Sequence, residues 1–144
     1  NFKKMIFRLR EFLITRPKTI SLDIADKIYW YHIIPMIPVR KELRAWMTAS
    51  DFSGYRPKWW ELKRKRSGKS QHVFGDKGAV DWTCSQFQTN RDIFLNIIIE
   101  HTNYTRLAIY NSFIHCDHKP TNSGKREIYI SDSSSKWEFL RFAA

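Results

Sequence analysis

A chain of 144 residues, 42% of them hydrophobic and including ten Phe and six Trp, has the length of one domain and enough apolar material for a core, which excludes disorder throughout. Two cysteines are too few for a disulfide framework or a four-cysteine metal site, and no apolar run approaches the roughly 20 residues that span a bilayer. With 25 Lys and Arg against 14 acids, the formal charge of +11 favours anionic partners such as nucleic acid, anionic membranes or bacterial wall polymers.

The first residues begin like a charged export signal, but Arg8, Arg10 and Glu11 cut the apolar run short, so no signal peptide is expected. Residues 1–20 read instead as a basic amphipathic element. From Lys3 to Ile14, Met5, Ile6, Leu9, Phe12 and Leu13 share one helical face, suited to packing on the domain. Ser21 is a good N-cap for a helix through about Ile33, with Asp23 and Asp26 near its positive end, and Pro35 and Pro38 are expected to stop it. Leu43 to Ala49 reads as a strand running into a turn, Ser53-Gly54-Tyr55-Arg56-Pro57.

Trp59 to Arg66 suggests a helical turn inside the densest basic patch, Lys58 to Lys69, where Trp59 and Trp60 offer stacking surfaces to a nucleic acid. A strand is expected over Ala79 to Cys84 and a helix over about Asn90 to His101 with Ile93, Ile97 and Ile98 inward. Short strands are expected over Leu107 to Tyr110, Phe113 to Cys116 and Glu127 to Ser131. The pattern predicts a single α+β domain over residues 1–144, with a small, mostly antiparallel sheet and flanking helices. Cys84 and Cys116 read as structural thiols, and His32 and His101 as ordinary residues.

A hydrolytic zinc site needs about three nitrogen or oxygen ligands and one open position. His72 precedes a glycine-punctuated reversal, Gly75 to Gly78, that leads to Asp81, and His115 lies on a strand whose alternation puts it on one face with Phe113 and Asp117. The order Ser70-x-His72, Gly, Ala79-x-Asp81 resembles the signature of the zinc D-alanyl-D-alanine metallopeptidases and their hedgehog-like relatives. Ser53-Gly54-Tyr55-Arg56 is similar to the turn that precedes this signature, and Phe113-Ile114-His115-Cys116-Asp117 to the motif of the third ligand. Together the motifs cover about residues 43–119.

The resemblance implies a hedgehog-like DD-peptidase fold. It implies Zn2+ held by His72, Asp81 and His115, a substrate held by Arg56 with Ser70 bonding substrate or turn, and a peptidase acting on peptidoglycan stem peptides as carboxypeptidase or endopeptidase. The cell wall or periplasm would be the place of action and bacteriophage lysis or wall entry a natural setting, with no nucleic-acid partner. Asp117 is the expected general base, with His118 as a further choice; Asp117 orienting His115 from behind is the other role open to it. The step from His72 to Asp81 is longer than the common one, with Asp76-Lys77 as the insertion, which leaves Asp76 as an alternative ligand. A zinc-containing binding module without turnover is the other reading of the same residues, and nucleic-acid binding through the basic patch a third.

Overall fold

Alternation along two short segments sets the architecture. In β2 (Ala79–Cys84), Val80, Trp82 and Cys84 point one way and Ala79, Asp81 and Thr83 the other; in β4 (Ile114–Asp117), Ile114 and Cys116 oppose His115 and Asp117. The apolar set of each strand joins the core. The computed structural model describes residues 7–132 and 136–144. It places these strands in a six-stranded sheet with β1 (Met47–Ala49), β3 (Arg106–Ile109), β5 (Arg126–Ser131) and β6 (Trp137–Ala143), in the order β1-β2-β4-β3-β5-β6. The pair β3·β5 is parallel and the other pairings are antiparallel, so the sheet is mixed, though mostly antiparallel as expected.

On the core side, Val80, Trp82, Leu107, Ile109, Ile114 and Ile128 form one cluster with helical residues. The helices are α1 (Leu22–Ile28), α2 (Ile34–Leu43) and α4 (Phe87–His101), while the short α3 (Lys58–Lys63) lies in the basic patch. Ile28, Met36, Phe94 and Ile98 are fully buried there. The opposite face of the sheet carries the polar members of β2 and β4. Because Asp81 pairs with His115 and Ala79 with Asp117, the register sets them side by side.

Several expectations are corrected. Pro35 and Pro38 do not end the helix: Ser21 caps α1 through Ile24 N–H as expected, but a π-helical turn, Tyr29–Ile33, carries the chain directly into α2, which contains both prolines. Pro35 has no N–H for the Tyr31 carbonyl four residues earlier, and that oxygen instead accepts from His118 Nε2 at 3.1 Å. Leu43 consequently belongs to α2, and the first strand shrinks to Met47–Ala49.

Of the N-terminal helix, Lys3 to Ile6 lie outside the described residues, and the remainder forms only a short 3-10 turn, Leu9–Phe12. Phe12 and Leu13 are nevertheless buried. Ile93, expected inward, is 58% exposed, because α4 begins at Phe87 and turns Phe94, Leu95, Ile97 and Ile98 to the core. Strand β6 was not expected from the sequence. Cys84 and Cys116 are buried free thiols.

Candidate metal centre

The turn at Ser53 to Arg56 grips both of the first two candidate ligands. Asp81 N–H donates to the Ser53 carbonyl at 2.9 Å, and Arg56 N–H donates to the His72 carbonyl at 2.8 Å. Ser53 Oγ donates to Asp81 Oδ2 at 2.7 Å, joined there by Arg56 Nη2 at 3.2 Å. The turn is itself pinned to the N-terminal segment, since Tyr55 N–H donates to the Phe12 carbonyl at 2.6 Å. Gly54 is required by this approach: a Cβ there would stand 2.6 Å from that same oxygen and 2.8 Å from Phe12 Cβ.

His72 sits in a 3-10 turn, Gln71–Val73, whose N-cap is Ser70; the Ser70 hydroxyl accepts from His72 N–H at 3.2 Å. Of the two roles open to Ser70, this geometry shows the one within the turn. The following loop closes at Gly78, which has φ +82° and lies against the Phe74 ring. Its insertion carries Asp76 on an exposed stretch, and it is Asp81 that is grouped with His72 and His115 as a set that could hold a metal ion.

The outer nitrogen of each candidate imidazole is committed as a donor. His72 Nδ1 lies 2.8 Å from the Gly54 carbonyl, which can only accept, so Nδ1 carries the proton. His115 Nε2 lies 2.8 Å from Asp117 Oδ2, which likewise accepts. In the neutral rings this leaves lone pairs on His72 Nε2 and His115 Nδ1. Those two atoms are 3.1 Å apart, and Asp81 Oδ1 stands 3.2 Å from the first and 2.9 Å from the second. All three residues are buried.

Three acceptors facing one another at such distances repel unless a cation sits among them. A zinc ion with ligands at about 2.0–2.1 Å has tetrahedral edges of about 3.3 Å, close to the spacings found. In the metal-free chain a proton can play this part. Burial disfavours charge on His115, but its bonds to Asp117 and Asp81 and their negative charges outweigh that and hold its pKa up at about 9. For His72 burial wins over the attraction of Asp81 and the pKa is lowered. Burial pushes the Asp81 carboxyl up, but His72 and His115 together hold it well below the usual carboxylate range.

Asp117 lies behind His115, away from the converging lone pairs. It is fully buried, with Oδ1 accepting from Arg106 Nε at 3.0 Å and from Lys119 N–H at 3.0 Å, and Oδ2 taking Arg106 Nη2 at 2.6 Å besides His115. Both carboxylate oxygens are thus turned to the protein, an arrangement that fits the second role open to Asp117, orienting His115 from behind. His118 is turned to the Tyr31 carbonyl. Arg56, expected to hold substrate, is engaged by the protein: besides Asp81, its Nη2 donates to Ser53 Oγ at 2.6 Å, and Nη1 faces the fully buried Glu61 at 3.7 Å. Its Nε is buried and has no hydrogen-bond partner among the described residues.

Sequence reasoning did not single out the bonds that Ser53 makes to Asp81 and Arg106 to Asp117, nor Trp137. Arg106 is set opposite Asp117 by the β3–β4 register, which the sequence of β3 alone does not disclose. Trp137, from the unexpected β6, lies with its ring 5.0 Å from that of His115. In the basic patch, the Arg64 guanidinium covers the Trp60 ring at 3.7 Å, so Trp60 is not the open stacking surface expected for nucleic acid. No helix among the described residues is long and apolar enough to cross a membrane. Compared with known protein families, characterised proteins and solved structures, the chain gives no match, so the likeness to D-alanyl-D-alanine metallopeptidases rests on its three motifs alone.

Proposed function

We propose that this domain is a zinc-dependent peptidase of the hedgehog-like DD-peptidase type that hydrolyses peptidoglycan stem peptides. The observation that carries the reading is the convergence of His72 Nε2, Asp81 Oδ1 and His115 Nδ1, each backed by outer bonds that turn a lone pair inward. The three motifs arrange these residues in the order of the metallopeptidases that they resemble. Zinc bound there supplies Lewis-acid chemistry, lowering the pKa of a water and polarising an amide carbonyl. Asp117 orients His115 and strengthens it as a donor, while Ser53 and Arg56 fix the rotamer of Asp81. The +11 charge draws the domain to an anionic wall, and phage lysis or wall entry is a fitting use.

A second reading, a zinc-containing binding module without turnover, is favoured by one observation. Both oxygens of Asp117 accept from Arg106, Lys119 or His115, and Asp81 is itself one of the three groups that would hold the ion, so neither carboxylate is free to move the proton that hydrolysis requires. Purified sacculi incubated with the zinc-loaded protein, with and without chelator, separate the two. Released D-alanine marks a carboxypeptidase and cleaved stems or cross-links an endopeptidase, both lost with chelator. Zinc binding at one equivalent with no released product overturns the peptidase and leaves the module.

A further inference from the structure

The two edges of the sheet are built differently. At one end β1 is three residues long, and its Thr48 hydroxyl donates to Glu11 of the N-terminal turn. At the other end β6 runs for seven residues, and no strand among the described residues lies against its outer side. Phe139, Leu140 and Phe142 are each about half exposed there. A long apolar edge with outward-pointing backbone N–H and carbonyl groups is a template for a further strand. Edges of this kind are blunted elsewhere by lysine or proline. β6 contains neither, and its charged residues are one acid, Glu138, and one base, Arg141.

A bulge decides which way those two charges face. The register on β5 sets Glu138 opposite Ile130 and Arg141 opposite Ile128, with Leu140 as the extra residue between Phe139 and Arg141. Ile128 and Ile130 are two apart on β5, so Glu138 and Arg141 lie together on the face that carries the helices, although strict alternation separates residues three apart. Trp137, Phe139 and Phe142 lie on the other face, where the rings of Phe139 and Phe142 are 5.1 Å apart. Two such strands related by a two-fold axis between Phe139 and Leu140 run antiparallel. They oppose Glu138 of each copy to Arg141 of the other on one face, and Trp137 to Phe142 on the opposite face. Opposed residues must share a face, so only the bulge allows this register. Moving the pairing by one residue sets Glu138 against Phe142 or Leu140 instead.

We propose that the chain pairs with a second copy of itself through β6, edge to edge, so that two six-stranded sheets join into one. Two opposite-charge pairs then lie across the seam, and the half-exposed Phe139, Leu140 and Phe142 of each copy gain apolar cover. Glu138 and Arg141 are both exposed, and Arg141 spends only Nη1 on the Phe142 carbonyl of its own strand, at 3.3 Å, so both charges are available to the second copy. The arrangement is isologous and closes after two copies. Its overlap is one strand long, which makes it a reversible interface and not an obligate one. It is independent of the metal and of the peptidase reading, because β3 and β5 separate β6 from the strands of Asp81 and His115.

The test is sedimentation velocity of the purified full chain over a concentration series. The +11 charge of each copy opposes approach, so the salt is set at about 0.15 M, where screening acts beyond about 8 Å. The wild type is expected to pass from monomer to dimer as concentration rises, with zinc and without it. Glu138→Arg and Arg141→Glu each place like charges in both pairs, and each alone is expected to weaken the dimer at least tenfold. Mixed in equal amounts, the two variants regain opposite charges in both pairs and are expected to form a heterodimer within threefold of the wild-type affinity. The double variant, with both changes in one chain, is expected to recover in the same way, and it carries the test if either single variant folds poorly. A wild type that stays monomeric up to about 1 mM overturns the proposal and leaves the edge to a strand of another chain. A dimer that both single variants leave unchanged, or a mixture that does not associate, overturns the pairing of these two strands.

Discussion

Two groups of buried histidines lie in this domain and obey the same rule with opposite outcomes. His32, fully buried in the π-helical turn, has both ring nitrogens engaged by complementary partners. Its Nε2–H donates to the Lys77 carbonyl at 2.8 Å, and its Nδ1 accepts from Tyr104 Oη at 2.7 Å, while that hydroxyl takes the Trp82 indole N–H at 3.1 Å. The network closes on itself and needs nothing from outside. In the second group the outer nitrogens of His72 and His115 are spent in the same way, yet the inner ones meet a carboxylate and each other. A buried histidine opposite a hydroxyl and a carbonyl is structural; two that share a carboxylate leave a place for a cation.

The sharpest way to break the contrast is to remove one histidine from each group. His115→Ala should abolish stoichiometric zinc, measured by metal analysis after dialysis, because two ligands and an otherwise solvated ion rarely hold zinc. His32→Phe should leave zinc stoichiometry intact. A zinc loss in His32→Phe equal to that of His115→Ala would erase the distinction. Next in size, Asp117→Asn keeps the shape behind His115 but removes the charge and can present an N–H to Nε2, so zinc affinity should fall about 10- to 100-fold. Competition with a chromophoric chelator measures it, and an unchanged affinity would mean that packing alone orients His115.

In stability the order reverses. His32→Phe leaves the Lys77 carbonyl and Tyr104 hydroxyl without their partner, at a cost of roughly 1–3 kcal/mol in denaturant unfolding of the metal-free protein. The same residue sharpens the comparison through pH. Burial, the largest influence and only partly opposed by the bond to Lys77, lowers the His32 pKa from 6.5 to about 3. Between those values the unfolded chain binds a proton that the folded one refuses, so this contribution to stability is present above pH 6.5 and is lost as pH falls toward 3. The slope reaches at most about 1.4 kcal/mol per pH unit. Urea midpoints across that window should fall less steeply in His32→Phe than in the wild type; parallel curves would assign the acid sensitivity elsewhere.

What the sequence disclosed follows from how local each signal is. The Ala79–Cys84 strand and the alternation through His115 are period-two patterns of adjacent residues, and their placement in β2 and β4 brought Asp81 and His115 together in register. The prolines misled because their usual effect on a helix assumes that the freed carbonyl has no other partner, whereas His118 is far along the chain and meets Tyr31 only in the fold. Trp137 through Ala143 mixes apolar and charged residues on both sides of a regular strand, with Glu138 on one and Arg141 on the other, so alternation gave no sign of β6 or of the ring that it sends to His115. The role of Asp117 was open for the same reason: only the β3–β4 register puts Arg106 on its carboxylate.

The smallest effect probes the outer bonds that aim the lone pairs. Ser53→Ala removes one hydroxyl from Asp81 Oδ2, but the Ser53 carbonyl still accepts from Asp81 N–H, and Arg56 Nη2 still reaches the same carboxylate oxygen. Losing one of two supports should therefore weaken zinc by about 3- to 10-fold, at or below the low end of what removal of a supporting partner costs. The released Arg56 Nη2, which also gave a bond to Ser53 Oγ, can close on Asp81 and offset part of the loss. If the metal-free protein melts as before while zinc affinity drops in that range, the hydroxyl acts on the direction of the Asp81 lone pair. If melting falls and affinity does not, Ser53 belongs with His32, as a part of the frame that closes on itself.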